Sequence, residues 1–523
     1  MERWILAVAT IVAMLIPTKH ALHMFQQNRY EIGRYSKWLA GNQKMIQGML
    51  VTTLCYIVVA GLLTYFAGFE IFAWVWLVLL LLVTGINVIR EKNKKYIKPL
   101  VYTGRVKRQI VVMALLQIGL ILLNDKFLPQ YACISTLVII LPWILIFFVG
   151  WITSPIETFV KQWFIGQAKK ILREDKDLIK IGITGSYGKT STKNVMQAMI
   201  GEQFNTLMTP ASYNTPMGIT ITIRTLLKPI HKVFVCEMGA DHVGEITYLM
   251  KFVQPSIGVV TSIGPQHLAT FGSQENIINE KMQMMELLPK NGLGVLNYDN
   301  DFIRNYRLKN PVKTVSYGVK SRDVDYYADD ITYTRMGSSF TVVHRDERVR
   351  IETKLLGELN ILNILSAICV ARHLNVPWST IQRAAKTMKQ VEHRLELKTI
   401  NGYRFIDDAF NSNPVGSAMA LEVLSMMPNT RYVVTPGMID LGAIQDDANK
   451  EFGRKMKGKA DEVILVGEIQ TKPIYEGLQE VGFDMNRVIV VKTVKEAFAH
   501  IYRHALPTDT ILLENDLPDA FSH

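Results

Sequence analysis

Residues 178–200 read LIKIGITGSYGKTSTKNVMQAMI. A short apolar run ends on a glycine, a polar turn with a second glycine follows, and the chain then takes up helical periodicity. That succession is the pattern of a buried strand, a tight loop and a helix. In the loop itself, Gly185, Ser186 and Gly188 let backbone N–H groups turn inward around phosphate oxygens. Lys189 brings a point charge, the Thr190 hydroxyl can ligand Mg2+, and Ser191 opens a helix whose N-terminus favours anions. The longer pattern G-x-x-x-x-G-K-[ST] is not met, because Ile183 stands where its first glycine belongs. Its specificity therefore comes from the flanking strand and helix.

Downstream, KVFVCEMG, IGVVTSIG and GLGVLN have the same apolar-run-to-glycine form, and a second series (YRFIDD, RYVVTPG, EVILVG, RVIVV, TILLEN) begins near Tyr403. Such runs alternating with helical stretches predict two doubly wound α/β domains, at 178–390 and 391–523.

Upstream the composition changes. Apolar stretches at about 4–18, 46–68, 71–89, 109–124 and 132–151 predict an α-helical multi-span membrane segment, 1–151, with about five helices. Residues 152–177 read as an amphipathic linker helix, with Phe159, Trp163, Phe164 and Ile171 among lysines and Arg173. Basic residues collect in two connections: Lys19, Arg29, Arg34, Lys37 and Lys44, then Arg90, Lys92, Lys94, Lys95, Lys98, Arg105, Lys107 and Arg108. The positive-inside rule makes both connections cytoplasmic, puts the N-terminus outside, and places everything after Trp151 in the cytoplasm of a multi-pass cell-membrane protein.

The formal net charge of +12 would suit nucleic acid, but residues 1–151 hold 15 basic and 5 acidic side chains against 43 and 41 in the remainder. The basicity belongs to the apolar segment, which removes the compositional case for nucleic acid. The four cysteines are far apart and form no C-x-x-C pair, which argues against a zinc site or a disulfide framework.

Read together, TGSYGKTS (184–191), NTPMGI (214–219), CEMGADHVGEI (236–246), HLATFGS (267–273), Lys281, LNYDND (296–301), GELNILN (357–363), HRLE (393–396) and IDDAFNSNP (406–414) resemble the Mur ligases in motif and order, most closely the branch that adds D-alanyl-D-alanine. The resemblance spans roughly residues 178–500 and implies that 178–390 is a P-loop central ATP-binding domain and 391–523 a C-terminal Rossmann-like ligase domain, together an amide ligase that phosphorylates a carboxylate with ATP, then lets an amine of an amino acid or peptide displace phosphate. It implies that Lys189 and the loop amides hold ATP, that Thr190 and Glu237 ligand one Mg2+, and that His267 ligands a second. Lys281 matches a lysine that is carbamylated in the family, Asn297 or Asn300 would meet adenine, Arg394 would reach the phosphates, and Asp408 would sit near the ribose.

Taken singly, each residue has an ordinary reading. Glu237 could be a surface carboxylate, His267 and the asparagines Asn360 and Asn363 helix caps, Lys281 a solvated charge, Arg394 a surface pair, and Asp407 and Asp408 loop carboxylates.

The chain also departs from the family. Apolar segments stand where members carry a soluble domain for a uridine nucleotide, which implies a lipid-linked or membrane-located donor. Leu359 replaces a histidine, and ILLENDLPD (511–519) brings Glu514, Asp516 and Asp519 where a lysine is usual. Those acids imply a positively charged acceptor amine, or else a solvated C-terminal loop. The competing functions are a conventional UDP-linked ligase, a poly-γ-glutamate-type synthase, and, from a different class, an ATP-driven transporter or nucleotide-sensing regulator.

Overall fold

The computed structural model describes residues 2–93, 96, 99–127, 133–334, 337–409, 413–439 and 441–515. Asp516 and Asp519 lie outside them, as do Lys94, Lys95 and Lys98 and part of the IDDAFNSNP stretch. The chain divides into two compact units, Met1–Trp163 and Phe164–His523.

The first unit is helical and contains, by length and composition, five candidate membrane spans: Trp4–Gln27, Gln43–Leu63, Ala73–Lys92, Gly104–Asn124 and the helix Leu141–Glu174. The second and third lie within one helical stretch, Gln43–Asn93, that doubles back on itself. Tyr56 and Trp76 would stand ~30 Å apart on a straight helix, yet their ring centroids lie 5.6 Å apart. Ala60, Leu63, Trp76 and Leu80 pack in one cluster with Leu6, Ala9 and Met14 of the first helix.

Three details differ from the sequence expectation. Lys19 is not in a connection but inside the helix Glu2–Gln27, where it pairs with Glu91, which also bonds His20 at 2.8 Å and Tyr96 at 3.0 Å. The first basic connection holds a further helix, Ile32–Gly41, whose Tyr35 is buried among Phe25, Trp38, Trp143 and Phe147. The fifth stretch breaks after the short helix Cys133–Thr136 and resumes at Leu141 with Pro142 in its first turn, where a proline lacks no needed N–H. From there one helix runs to Glu174, so residues 152–174 are not a separate linker element.

The second unit holds two sheets. The larger is built from β1 (Ile179–Thr184), β2 (Thr206–Met208), β3 (Val233–Glu237), β4 (Ile257–Val260), β5 (Leu293–Asn297), β6 (Lys313–Gly318), β7 (Tyr326–Thr334), β8 (Gly337–His344) and β9 (Glu347–Thr353). Their order is 2-3-1-4-5-6-7-8-9, parallel through β7 and antiparallel in the β7–β8–β9 meander. β3, β4 and β5 are fully buried and β1 is buried from Ile181 on, as central strands covered on both faces require, while the edge strand β2 is only half-buried. The meander was not read from the sequence, because Tyr326–Thr353 alternates exposed charges with buried residues and lacks a continuous apolar run.

The smaller sheet comprises β10 (Glu396–Ile400), β11 (Tyr403–Asp408), β12 (Arg431–Thr435), β13 (Glu462–Val466), β14 (Val488–Val491) and β15 (Thr510–Glu514), ordered 10-11-15-12-13-14. Only the β10–β11 hairpin is antiparallel. Both sheets are thus of the doubly wound α/β class, and in each the parallel strands end together on one edge.

Two helices of the smaller domain, Gln445–Lys455 and Glu468–Glu480, meet backbone to backbone. A Cβ on Gly477 would lie 2.0 Å from the Lys450 carbonyl oxygen, and one on Gly453 would lie 2.3 Å from that of Ile474. Gly477→Ala should therefore force the helices apart and destabilise this domain by at least ~1–3 kcal/mol. Loss of amide-exchange protection in β12 and β13, with the larger sheet unchanged, would register it; equal protection in both proteins would refute the packing account.

Candidate active site

β1 lies between β3 and β4, so the loop after it opens where the strand order reverses, the position at which parallel sheets bind ligands. Gly188 has φ 82° and starts the helix Lys189–Gly201, and a Cβ there would also meet the Asn363 carboxamide oxygen at 3.0 Å. Glycine satisfies both the left-handed backbone and the close approach. The Lys189 ammonium bends back to donate to the carbonyl oxygens of Gly185 at 2.6 Å and Ser186 at 3.1 Å. The Ser186 hydroxyl donates to the Gly264 carbonyl, which ties the loop to the segment after β4.

Register brings the acid. Ile183 of β1 is opposite Glu237, the last residue of β3, so the Glu237 side chain arrives beside the loop. Its carboxylate accepts from the Thr190 hydroxyl at 3.1 Å, the Asn214 amide at 3.1 Å and the Lys193 ammonium at 2.9 Å. Lys193 and Glu237 are 0% and 1% exposed, which makes them a buried ion pair rather than surface charges. Lys193 lies one helical turn beyond Lys189 and also donates to the Ala211 carbonyl. It was not singled out from the sequence, although the second lysine of GKTSTK was the available signal. Opposite it, Thr192 donates to Asn363 at 2.9 Å. Asn360 and Asn363 are therefore interior helix residues, since the helix Glu358–His373 is capped by Gly357.

Lys281 is 2% exposed and donates to the Ala240 carbonyl at 3.0 Å, so it is no solvated charge. Burial, reinforced by Lys189, pushes it down to about 7, against the opposing pull of Glu280, Glu245 and Asp241. Its ammonium also lies 5.6 Å from the Phe271 ring. Phe271 ends the short helix Leu268–Phe271, and His267 occupies the N-cap of that helix at φ 56° without a side-chain cap bond. Nearby, Asp241, His242 and Glu245 offer ligand atoms within 4.8 Å of one another. The sequence reading quoted these three inside a motif but gave them no role.

Arg394 comes from the segment before β10 and is half-buried. Burial pushes it down, while Asp408 and Glu237 pull the other way. Lys189 is likewise pushed down to about 8 by burial, with Glu237 opposing and Arg394 adding to the effect. Arg394 is thus partly withdrawn from solvent, with Lys189, Glu237 and Asp408 among the charges that act on it. Asp408 accepts from the Leu395 N–H at 3.1 Å, and burial pushes its carboxyl up against the pull of Arg394. Asp407 is 3% exposed in its side chain and bonds His393 at 2.8 Å and Lys398.

The two asparagines differ. Asn297 is buried, donating to the Thr261 carbonyl and accepting from the Asp299 N–H, so its carboxamide is turned into the fold. Asn300 is half-buried, caps the helix Asp301–Arg304 and donates to the Ile263 carbonyl. Ser191 is buried at the start of its helix. Glu514 ends β15 opposite Asp408 and is 0% exposed, so the reading of it as part of a solvated loop is wrong. A strand residue facing the domain interior cannot be solvated.

A glycine loop at the switch point of a parallel sheet, with a buried lysine and a carboxylate at its mouth, defines a nucleotide-binding α/β protein of the phosphate-loop kind. Comparison with known proteins narrows this. The family described as Mur ligase middle domain matches residues 183–371, and that described as Mur ligase, glutamate ligase domain, matches 393–514. The chain belongs to the Mur ligase family, whose homologues are ATP-dependent amide ligases.

It is 28% identical over 306 residues to the UDP-N-acetylmuramoyl-tripeptide–D-alanyl-D-alanine ligase of Escherichia coli, covering 58% of this chain and 68% of that protein. With the enzyme of the same name from Bacillus subtilis it shares 27% over 338 residues, covering 64% and 72%. The chain thus spans about two thirds of the length of these relatives. In fold it is similar to MurF from Acinetobacter baumannii (TM-score 0.62, 23% identity, covering 69% of this chain and 78% of that one). MurF from Thermotoga maritima in complex with ADP gives a TM-score of 0.61 at 22% identity, covering 68% and 80%.

Lys193→Met would leave Glu237 buried without its cation, at about 3–5 kcal/mol of stability. Lys193→Met combined with Glu237→Gln should recover much of that loss in denaturant titrations of the purified protein. Additive losses in the double variant would show that the two side chains are not coupled.

Proposed function

We propose that the chain uses ATP to join D-alanyl-D-alanine, or a dipeptide of that kind, to the carboxylate of a muramoyl peptide at the cytoplasmic face of a membrane. The ligase reading is carried by one observation: at the switch point of the sheet a glycine loop opens a helix, with the Lys189 ammonium folded over the loop carbonyls at 2.6 and 3.1 Å and the Thr190 hydroxyl 3.1 Å from the Glu237 carboxylate. A lysine at the opening of a helix favours a polyanion, and a triphosphate is the polyanion that a glycine loop at a helix N-terminus fits.

Thr190 and Glu237 offer hard oxygen atoms beside that loop, a donor set suited to Mg2+. When bound there, the metal would neutralise phosphoryl oxygens. Lys189 and the amides of Gly185 to Ser191 would hold the phosphates, with Arg394 reaching them from the second domain. Asp408 would face the ribose. For adenine the half-buried Asn300 is the better placed of the two asparagines. His267 and Lys281, with Asp241, His242 and Glu245, would surround a second Mg2+. An oxygen of the donor carboxylate attacks the γ-phosphorus and ADP leaves. The acceptor amine then attacks the acyl carbon, phosphate departs, and the amine loses its proton. Arg394, carried by the second domain, would help close the site against water during that interval.

The membrane half of the proposal is supported by the five apolar helices, which lie outside both family matches. The basic connections support a cytoplasmic site. A donor carried on a membrane lipid suits such a protein, whereas the names of the curated relatives specify a UDP-linked one.

Purified protein given ATP, D-alanyl-D-alanine and either lipid-linked or UDP-linked muramoyl tripeptide should release phosphate only when donor and dipeptide are both present. Turnover of the lipid-linked donor supports the full proposal. Turnover of the UDP-linked donor alone assigns the conventional ligase and ends the lipid reading. ATP hydrolysis indifferent to both substrates would sink the ligase itself.

Lys281 gives a second expectation. At about 7 its amine becomes neutral as pH rises through neutrality, and only a neutral amine condenses with CO2. Activity should fall below pH 7 and on CO2 removal, and 13C-labelled bicarbonate should give a carbamate resonance in the protein that Lys281→Met lacks. The same resonance in the variant would exclude Lys281 as its site.

A further inference from the structure

Between Glu202 and Glu237 the chain contains no acidic residue, and it carries Arg224, Lys228, His231 and Lys232. This segment includes the helix Pro216–Thr225 and a turn beyond it. The turn closes with the His231 N–H donating to the Lys228 carbonyl at 3.0 Å, and the His231 ring accepts from the Lys228 N–H at 2.9 Å. Pro229 and Ile230 form its tip. The tip of an exposed turn ordinarily carries glycine, asparagine or aspartate, yet Ile230 is 61% exposed. Leu226 and Ile221 are 41% and 43% exposed close by in sequence. Lys228 and Lys232 are exposed, and neither has an acidic partner among the described residues. The turn is well ordered by its own bonds, so its apolar tip is not explained by packing.

Its place in the chain says what it could meet. Arg224 lies 4.0 Å from the Phe164 ring and donates to Gln167 at 2.9 Å. Phe164 directly follows Trp163, the last residue of the first unit. On that same helix Trp151, Phe159 and Trp163 are 73%, 73% and 54% exposed, the aromatic signature of a membrane–water boundary. Those two contacts tie the end of the helix Pro216–Thr225 to the helix that carries these aromatics.

We infer that the segment Ile221–Lys232 is a contact for the anionic membrane surface, with Ile230 and Leu226 entering the headgroup region and Lys228 and Lys232 pairing with lipid phosphates. Exposed apolar residues flanked by unpaired lysines are the combination that such a surface recognises. The contact would hold the glycine-loop domain at the lipid face, where a membrane-carried donor could reach it. This inference rests on the membrane reading proposed above.

The full-length protein, with Cys55 and Cys133 replaced by serine, is reconstituted in nanodiscs of phosphatidylcholine alone or with phosphatidylglycerol. Nitroxides are placed singly by Ile230→Cys, by Leu82→Cys in a candidate span, and by Ile469→Cys, an exposed apolar position in the C-terminal domain. The ratio of oxygen to nickel-chelate accessibility is read at each.

The label at 230 should show a severalfold higher ratio than that at 469 when phosphatidylglycerol is present, and Lys228→Glu with Lys232→Glu should abolish the difference. Equal ratios at 230 and 469, with 82 reading lipid, would overturn the contact and leave the membrane reading intact. A water-like ratio at 82 would overturn the membrane reading itself. Shielding at 230 that persists unchanged in lipid-free detergent would mean a protein contact and also overturn the proposal.

Discussion

The buried ion pair between Glu237 and Lys193 is the constraint on which the site depends. It joins the end of β3 to the second turn of the helix that follows the glycine loop, with Thr190 and Asn214 completing the coordination of the carboxylate. A carboxylate at 1% exposure needs a cation and several donors to remain where it is. Because Lys193 holds one carboxylate oxygen, the loop, the helix and the strand end are set in fixed relation before any ligand arrives. That arrangement suits phosphoryl transfer, in which catalysis is mostly positioning and charge stabilisation.

Around this pair the electrostatics are unbalanced in a useful direction. Lys189, Lys281 and Arg394 are pushed toward losing their charge by burial; Glu237 offsets this in part at Lys189, Asp408 and Glu237 at Arg394, and Glu280, Glu245 and Asp241 at Lys281. A polyanion entering the loop relieves that strain and is drawn to the place where the reactive carboxylate must also come. The second domain participates through Arg394 and through Asp408, which its own backbone holds in position.

Much of this was legible in the sequence because the decisive signals are local. The runs that became β1, β3, β4 and β5 are continuous and apolar, and the loop glycines and Lys189 stand side by side. What was not legible depends on register and tertiary contact. Lys193 looks like any helix-surface lysine until the Ile183–Glu237 pairing places an acid against it. Asn363 reads as a cap until Thr192 is found bonded to it across the helix interface. Glu514 sits in an acidic, turn-like tail, and only the parallel pairing of β15 with β11 shows that its side chain points inward. The β7–β9 meander escaped because its exposed face is charged, and Lys19 because the apolar run stops near residue 18 whereas the helix continues to Gln27.

The most direct test of the ligase chemistry follows one oxygen atom. If the donor carboxylate is phosphorylated before the amine attacks, one of its oxygens must leave with the phosphate. Donor labelled with 18O in that carboxylate should yield inorganic phosphate carrying one 18O per amide bond formed, read by 31P NMR or mass spectrometry. Amide product accompanied by unlabelled phosphate would contradict the account.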